Sequence, residues 1–158
     1  MKTEKNAATI ALPPGRGKRV AVVSASFYAD LSAWLEDGAR RGAAACGVAP
    51  EACTFHRVPG CFELPLAARL LIDTGNYDAV VALGVVVRGD TPHFDFVAGE
   101  CSRGLMDVQL ATRVPIGFGV LTTENLAQAE ERADPARGDK GFEAAVAALS
   151  VLSVTEPI

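Results

Sequence analysis

The chain has 158 residues, 49% of them hydrophobic, with 15 basic and 19 acidic side chains and a formal net charge of −4. That length suits a single domain with a real core, and the acidic balance argues against a nucleic-acid partner, which calls for a basic face. No apolar run approaches the ~20 residues that a membrane helix needs, and the Lys2, Glu4 and Lys5 start does not make a signal peptide.

Residues 1–17 read as a tail, polar at first and then Leu12-Pro13-Pro14-Gly15. Thr9–Leu12 has the character of a strand added to a neighbouring sheet, limited in length by Pro13 and Pro14, which lack ladder donors. Lys18 to Ser24 predicts a strand with an apolar centre buried on both faces. A helix follows from Ala29 to Cys46, with Leu31, Leu35, Ala39 and Ala43 on one stripe and Gly47 as its stop. Cys53 to Val58 is the second strand. Pro59-Gly60 breaks it ahead of a helix from Phe62 to Thr74, which Gly75 ends. Tyr77 to Val87 is the third strand. Phe94, Val97, Cys101, Leu105 and Val108 keep helical spacing along the next helix. Pro115 to Leu121 is a fourth strand, followed by a helix over Glu124–Ala133, a break at Arg137-Gly138-Asp139 and a last helix over Lys140–Leu152.

Four strands alternating with helices predict an α/β fold with a four-stranded parallel sheet covered on both faces. The expected organisation is one domain over 18–154, between the 1–17 tail and a short C-terminal tail at 155–158. The four cysteines (Cys46, Cys53, Cys61, Cys101) show no CxxC spacing, and only two histidines accompany them. That pattern suggests neither a zinc site nor a disulfide framework, and points to a reducing cytoplasm.

Ligands of such sheets bind beyond the carboxyl ends of the strands, and the candidate groups gather there. Gly84 to Phe94 reads as a buried strand passing through a glycine turn into a helix. Thr91 is suited to the N-cap and Pro92 to the first helical position. A helix start leaves N–H groups unpaired and forms an anion site, and His93 beside it exchanges protons near neutral pH. Phe27 and Tyr28 end the first strand, either as a hydrophobic cap or as a face for a planar ligand. Glu63 is either a structural cap favoured by the helix dipole or an acceptor for a polyol. His56, inside the second strand, reads as an ordinary packed or hydrogen-bonded residue. Arg132 and Lys140 stand near helix ends, where charge alone explains them, although Arg is also shaped for bidentate phosphate contact.

Several stretches together resemble the lumazine synthase family: Val58–Pro65 (VPGCFELP), Ala82–Val97 (ALGVVVRGDTPHFDFV), Pro115–Asn125 (PIGFGVLTTEN), Gln128–Ala133 (QAEERA) and Asp139-Lys140-Gly141. They stand in the family's order and spacing, and the likeness spans roughly Arg19 to Leu152. The resemblance implies a flavodoxin-like three-layer αβα sandwich. It implies condensation of 5-amino-6-(D-ribitylamino)uracil with 3,4-dihydroxy-2-butanone 4-phosphate, without metal or organic cofactor. By similarity, Phe27 stacks on the pyrimidine, while Cys61, Phe62 and Glu63 line the ribityl chain. Val85, Val86 and Val87 border the ring. Gly89, Asp90 and Thr91 form the phosphate turn, and His93 transfers protons.

Phe118, Arg132 and Lys140 match positions that the family supplies from a neighbouring subunit. The resemblance therefore implies a homo-oligomer, a pentamer, with riboflavin synthase as a candidate partner. No insertion separates Arg132 from Lys140, which favours twelve pentamers closed into an icosahedral shell. Four positions depart from the pattern: Ser26 replaces a frequent Arg, Cys61 an Ala or Ser, and Asp139 an Asn, while Asp90 adds a negative charge to the phosphate turn. A non-catalytic paralogue that binds flavin or lumazine or serves mainly as a shell, and a flavodoxin-like phosphate or nucleotide binder or receiver domain, are the alternative readings. A receiver domain would need acidic residues at the end of the first strand, and Val22–Ser26 holds none.

Overall fold

Val20–Ala25 and Ala79–Val87 contain no charged residue, and strands of that kind need cover on both faces. The computed structural model describes residues 11–158. Its strands are β1 (Val20–Ala25), β2 (Cys53–Val58), β3 (Ala79–Val87) and β4 (Ile116–Thr123). Its helices are α1 (Ala29–Ala45), α2 (Leu64–Asp73), α3 (His93–Thr112), α4 (Leu126–Ala133) and α5 (Lys140–Leu152). The strands form one all-parallel sheet in the order β2-β1-β3-β4, so the two apolar strands take the centre.

Alternation within the central strands divides the core in two. Val20, Val22, Val81 and Leu83 pack with Leu31, Leu35, Ala39 and Ala43 of α1 and with the alanines of α4 and α5. Ala21, Val23, Val80 and Ala82 pack with Leu64, Ala68 and Ile72 of α2 and with Cys101 and Leu105 of α3. The result is the expected three-layer sandwich.

Differences from the sequence reading are confined to element ends. Gly47 ends α1 in the left-handed region, at φ 94°, as expected of a helix stop. The helix expected from Phe62 is preceded by a separate 3-10 turn, Cys61–Glu63, and begins at Leu64. α3 begins at His93, one residue later than Pro92 in the first helical position would give, and Pro92 itself is the N-cap residue. The Thr91 hydroxyl accepts the His93 N–H at 3.4 Å. α4 begins at Leu126 rather than Glu124, because the Asn125 side chain caps it by accepting the Gln128 N–H at 2.9 Å. Thr9 and Ile10 of the proposed extra strand lie outside the described residues. Ala11 and Leu12 take no strand conformation, and Gly15 is buried, donating its N–H to the Cys46 carbonyl at 2.7 Å.

One polar group crosses the upper core. Ser24 is 1% exposed, and its hydroxyl donates to Glu36 Oε1 at 2.5 Å. The Arg57 guanidinium closes on the same carboxylate, with Nε to Oε1 at 3.0 Å and Nη2 to Oε2 at 2.9 Å. That fork holds the Glu36 carboxyl below the usual carboxylate range despite its burial, with the Ser24 bond acting in the same direction. Because the native pKa is lowered, this stabilisation is fully present above the unfolded pKa of about 4.3 and is lost as pH falls through the native value. Glu36→Ala, which strips the Ser24 hydroxyl of its acceptor, is expected to lose roughly 1–3 kcal/mol in urea denaturation at pH 7. The loss should shrink as the pH is lowered below 4.

Candidate active site at the carboxyl end of the sheet

Parallel strands end on one side, so residues distant in sequence meet there. Phe27 follows β1, Gly60–Glu63 follow β2, and Val85–Val87 finish β3. Together with Tyr28 and with His93, Phe96 and Val97 of α3, they line an open cavity of about 550 Å³. Its walls are mainly apolar, with few polar groups, the usual character of a small-molecule site.

The aromatic residues are presented rather than packed. Phe27 is 76% exposed, touching Tyr28 edge-on with centroids 5.0 Å apart, so it is not a hydrophobic cap over α1. Phe62 is 61% and Phe96 68% exposed on the same cavity. Glu63 stands at the N-cap position of α2, yet its side chain makes no capping hydrogen bond. The carboxylate lines the cavity instead. The structural-cap reading of Glu63 is therefore not met at this position.

Cys61 is buried at the cavity floor beneath β3, where Gly84 makes room for it. A Cβ at Gly84 would run into Cys61 Sγ and would stand 3.2 Å from the Ala25 Cβ. Burial pushes the Cys61 thiol up to about 11 and Cys101, deeper in the same core, up to about 12. At neutral pH both are thiols. The other two cysteines are free as well.

His93 opens α3 with its side chain exposed on the cavity wall. Preceding it, Gly89, Asp90 and Thr91 form an exposed turn. Among the described residues, none of their three N–H groups has a hydrogen-bond acceptor. The turn therefore has donors available, as the anion-site reading requires. Asp90 is exposed and does not line the cavity.

Phe118, Arg132 and Lys140 lie elsewhere on the chain. Phe118 projects from β4, half exposed, over a small hollow lined by Ser102, Leu105, Met106 and Gln109. Arg132 Nη1 donates to the Gln128 carbonyl at 3.0 Å, and Lys140 Nζ to Glu143 Oε2 at 2.8 Å. Asp139, in the left-handed region at φ 49°, is held by the Arg41 fork at 2.7 and 3.0 Å. His56 is hydrogen-bonded inside β2, at 2.8 Å from Thr54 Oγ1. Phe96 was not singled out by the sequence, although its place three residues after His93 puts both on one helix face.

The 6,7-dimethyl-8-ribityllumazine synthase family model matches residues 17–156. The chain belongs to the 6,7-dimethyl-8-ribityllumazine synthase family. Relatives bearing that name agree over nearly the whole length. The protein from Edwardsiella ictaluri is 50% identical over 141 residues, covering 89% of this chain and 90% of its own. That from Gemmatimonas aurantiaca is 46% identical over 142 residues, covering 90% and 87%. A Chlorobium chlorochromatii relative is 44% identical over 138 residues, covering 87% and 89%. The four-stranded parallel sheet with five helices is the flavodoxin-like α/β fold expected of a lumazine synthase.

Within this family member, the contact of Gly84 with Cys61 makes a direct test of how the cavity floor is packed. Gly84→Ala is expected to destabilise the protein by about 1–3 kcal/mol through overpacking. Adding Cys61→Ala should return most of that stability, as read by chemical denaturation of the single and double variants.

Proposed function

We propose that this cavity is where the chain performs the lumazine-forming step of riboflavin biosynthesis. There it condenses 5-amino-6-(D-ribitylamino)uracil with 3,4-dihydroxy-2-butanone 4-phosphate and releases phosphate and water. The observation that carries this reading is the convergence of Phe27, Cys61–Glu63, Val85–Val87 and His93 on one cavity from three strand ends. Phe27 offers its exposed face to the pyrimidine. The uncapped Glu63 carboxylate accepts hydroxyls of the ribityl chain, and Cys61 and Phe62 flank it. Val85, Val86 and Val87 border the ring. The phosphate sits on the N–H groups of Gly89, Asp90 and Thr91, with the Asp90 carboxylate turned outward.

Chemistry begins when the ring amine attacks the ketone carbon and water leaves, forming an imine. The phosphate ester then eliminates inorganic phosphate, and the second amine closes the ring with loss of water. Each stage moves a proton, and the His93 imidazole both takes and gives them. Amide donors at the helix start stabilise charge on the departing phosphate. Holding the two reactants in register supplies much of the rate.

Phe118, Arg132 and Lys140 complete the cavity from a neighbouring subunit. This reading is supported by the position of all three away from the cavity of their own chain, with Phe118 and Arg132 exposed, and by the apolar side chains left in water on α2 and α3. Leu66 (65%), Leu70 (61%), Met106 (50%) and Leu110 (71%) are all largely exposed. Contacts of this kind are head-to-tail, which closes a ring. We place that ring as a pentamer, twelve of which close into an icosahedral shell in the cytoplasm, with riboflavin synthase as a candidate partner. The four unpaired cysteines suit that compartment.

His93→Ala is expected to lower kcat roughly 100-fold with little change in either KM, measured by lumazine absorbance and phosphate release. Full activity in that variant would remove the proton-transfer role. Co-assembly of His93→Ala and Arg132→Ala subunits should recover part of the activity that each lacks alone, because some mixed interfaces then hold one intact site. Sedimentation of the native protein checks the shell, and a profile dominated by single pentamers rejects it.

A further inference from the structure

A turn that keeps its amides free for a ligand cannot use them to hold its own shape. Gly89, Asp90 and Thr91 are in this position, since none of their N–H groups has a partner among the described residues. Within the turn the one restraint is the long Thr91 to His93 contact of 3.4 Å. Rigidity has to come from the flanks, and one side chain reaches both of them.

Arg88 is the last residue before the turn. Its N–H donates to the Thr123 carbonyl at 2.9 Å, fixing the end of β3 to β4. Its guanidinium Nε donates to Glu124 Oε2 at 2.8 Å. Nη1 reaches Asp95 Oδ1 at 3.4 Å in the first turn of α3, and Cζ lies 4.4 Å from the centroid of the Phe94 ring. The side chain thus spans the turn from strand end to helix start, and its contacts on the helix are the two residues that follow His93. Glu124 is anchored in its own right, because its N–H donates to Gln128 Oε1 at 2.9 Å. Two carboxylates already face the guanidinium, at Nε and at Nη1, so its charge is engaged by protein.

We propose that Arg88 is the positioning residue of the site, a clamp that holds the Gly89–Thr91 amides and the His93 helix start in the geometry that receives phosphate. It acts through the turn, touching neither reactant. Exposed ion pairs add little to global stability on their own, whereas a misplacement of about 1 Å at a reacting centre has a large kinetic effect. The clamp's signature is therefore kinetic, and it falls on one substrate.

This inference rests on the phosphate lying at the Gly89–Thr91 turn, and the test separates the two. The assembled enzyme and its Arg88→Lys, Arg88→Met and Glu124→Gln variants are assayed with each substrate varied in turn, and with inorganic phosphate as a competitor. Arg88→Met should raise KM for the four-carbon phosphate and Ki for inorganic phosphate about tenfold, leaving KM for the pyrimidine within about twofold. Arg88→Lys should recover part of the effect. Glu124→Gln should shift the same constants in the same direction by a smaller factor, and it carries the test if Arg88→Met does not fold. Equal changes in both KM values, or no change in either, overturn the clamp. If inorganic phosphate fails to compete with the four-carbon substrate even in the native enzyme, the phosphate assignment falls and takes the clamp with it. Competition that the variants leave unaltered overturns the clamp alone.

Discussion

Burial of β1 and β3 on both faces is the constraint that the rest of the molecule answers to. Strands without charge need helices above and below, and helical crossovers between parallel strands carry the chain back to the same starting edge. All four strands therefore finish on one side, where Phe27, Cys61 and His93 meet despite their distance in sequence. The same burial explains the Ser24, Glu36 and Arg57 chain. Its hydroxyl sits in a strand with no water to turn to, so a carboxylate comes to it from α1 and a guanidinium from β2 balances the charge. In this way a polar residue in the central strand fixes the register between sheet and helix.

The cavity and the turn that precedes α3 divide the labour between side chain and main chain. Flat and branched apolar groups at three strand ends suit a ring, and one uncapped carboxylate suits a polyol. The exposed amides of the turn suit an oxyanion. Each group is available because it declines the structural job that its position would normally assign: Phe27 does not cap, Glu63 does not cap, and the N–H groups of Gly89, Asp90 and Thr91 bond to nothing among the described residues. Groups left out of structural work in this way mark a ligand site more clearly than their identities do.

Much of this was legible in the residues. Apolar runs, two helical stripes and the glycine and proline breaks located the four strands and five α-helices, and the β2 and α5 bounds agree with the expectation because Pro59 and Asp139 leave little freedom there. Short-range geometry was harder to read. The 3-10 turn at Cys61–Glu63 is a single turn, too short to show a period, and Pro65 inside the first turn of α2 pushes the helix start later. Pro92 suits either of two adjacent positions at a helix start, and the structure takes the outer one. Phe96 escaped notice because the apolar stripe of α3 runs through Val97, Cys101 and Leu105 on the core side. Only Phe96's exposure shows it to be on the cavity side. Strand order and the separation of Phe118, Arg132 and Lys140 from the cavity depend on long-range pairing, which no local pattern encodes.

The buried thiol at the cavity floor has a consequence for chemical selectivity. The four-carbon reactant is an electrophile, and a sulfur nucleophile of ordinary acidity lining the same cavity would compete with the amine for its carbonyl. Burial pushes the Cys61 pKa up to about 11, so at pH 7 the sulfur is held as the thiol. Its low-dielectric seat under Gly84 thus keeps sulfur a spectator to carbon–nitrogen bond formation.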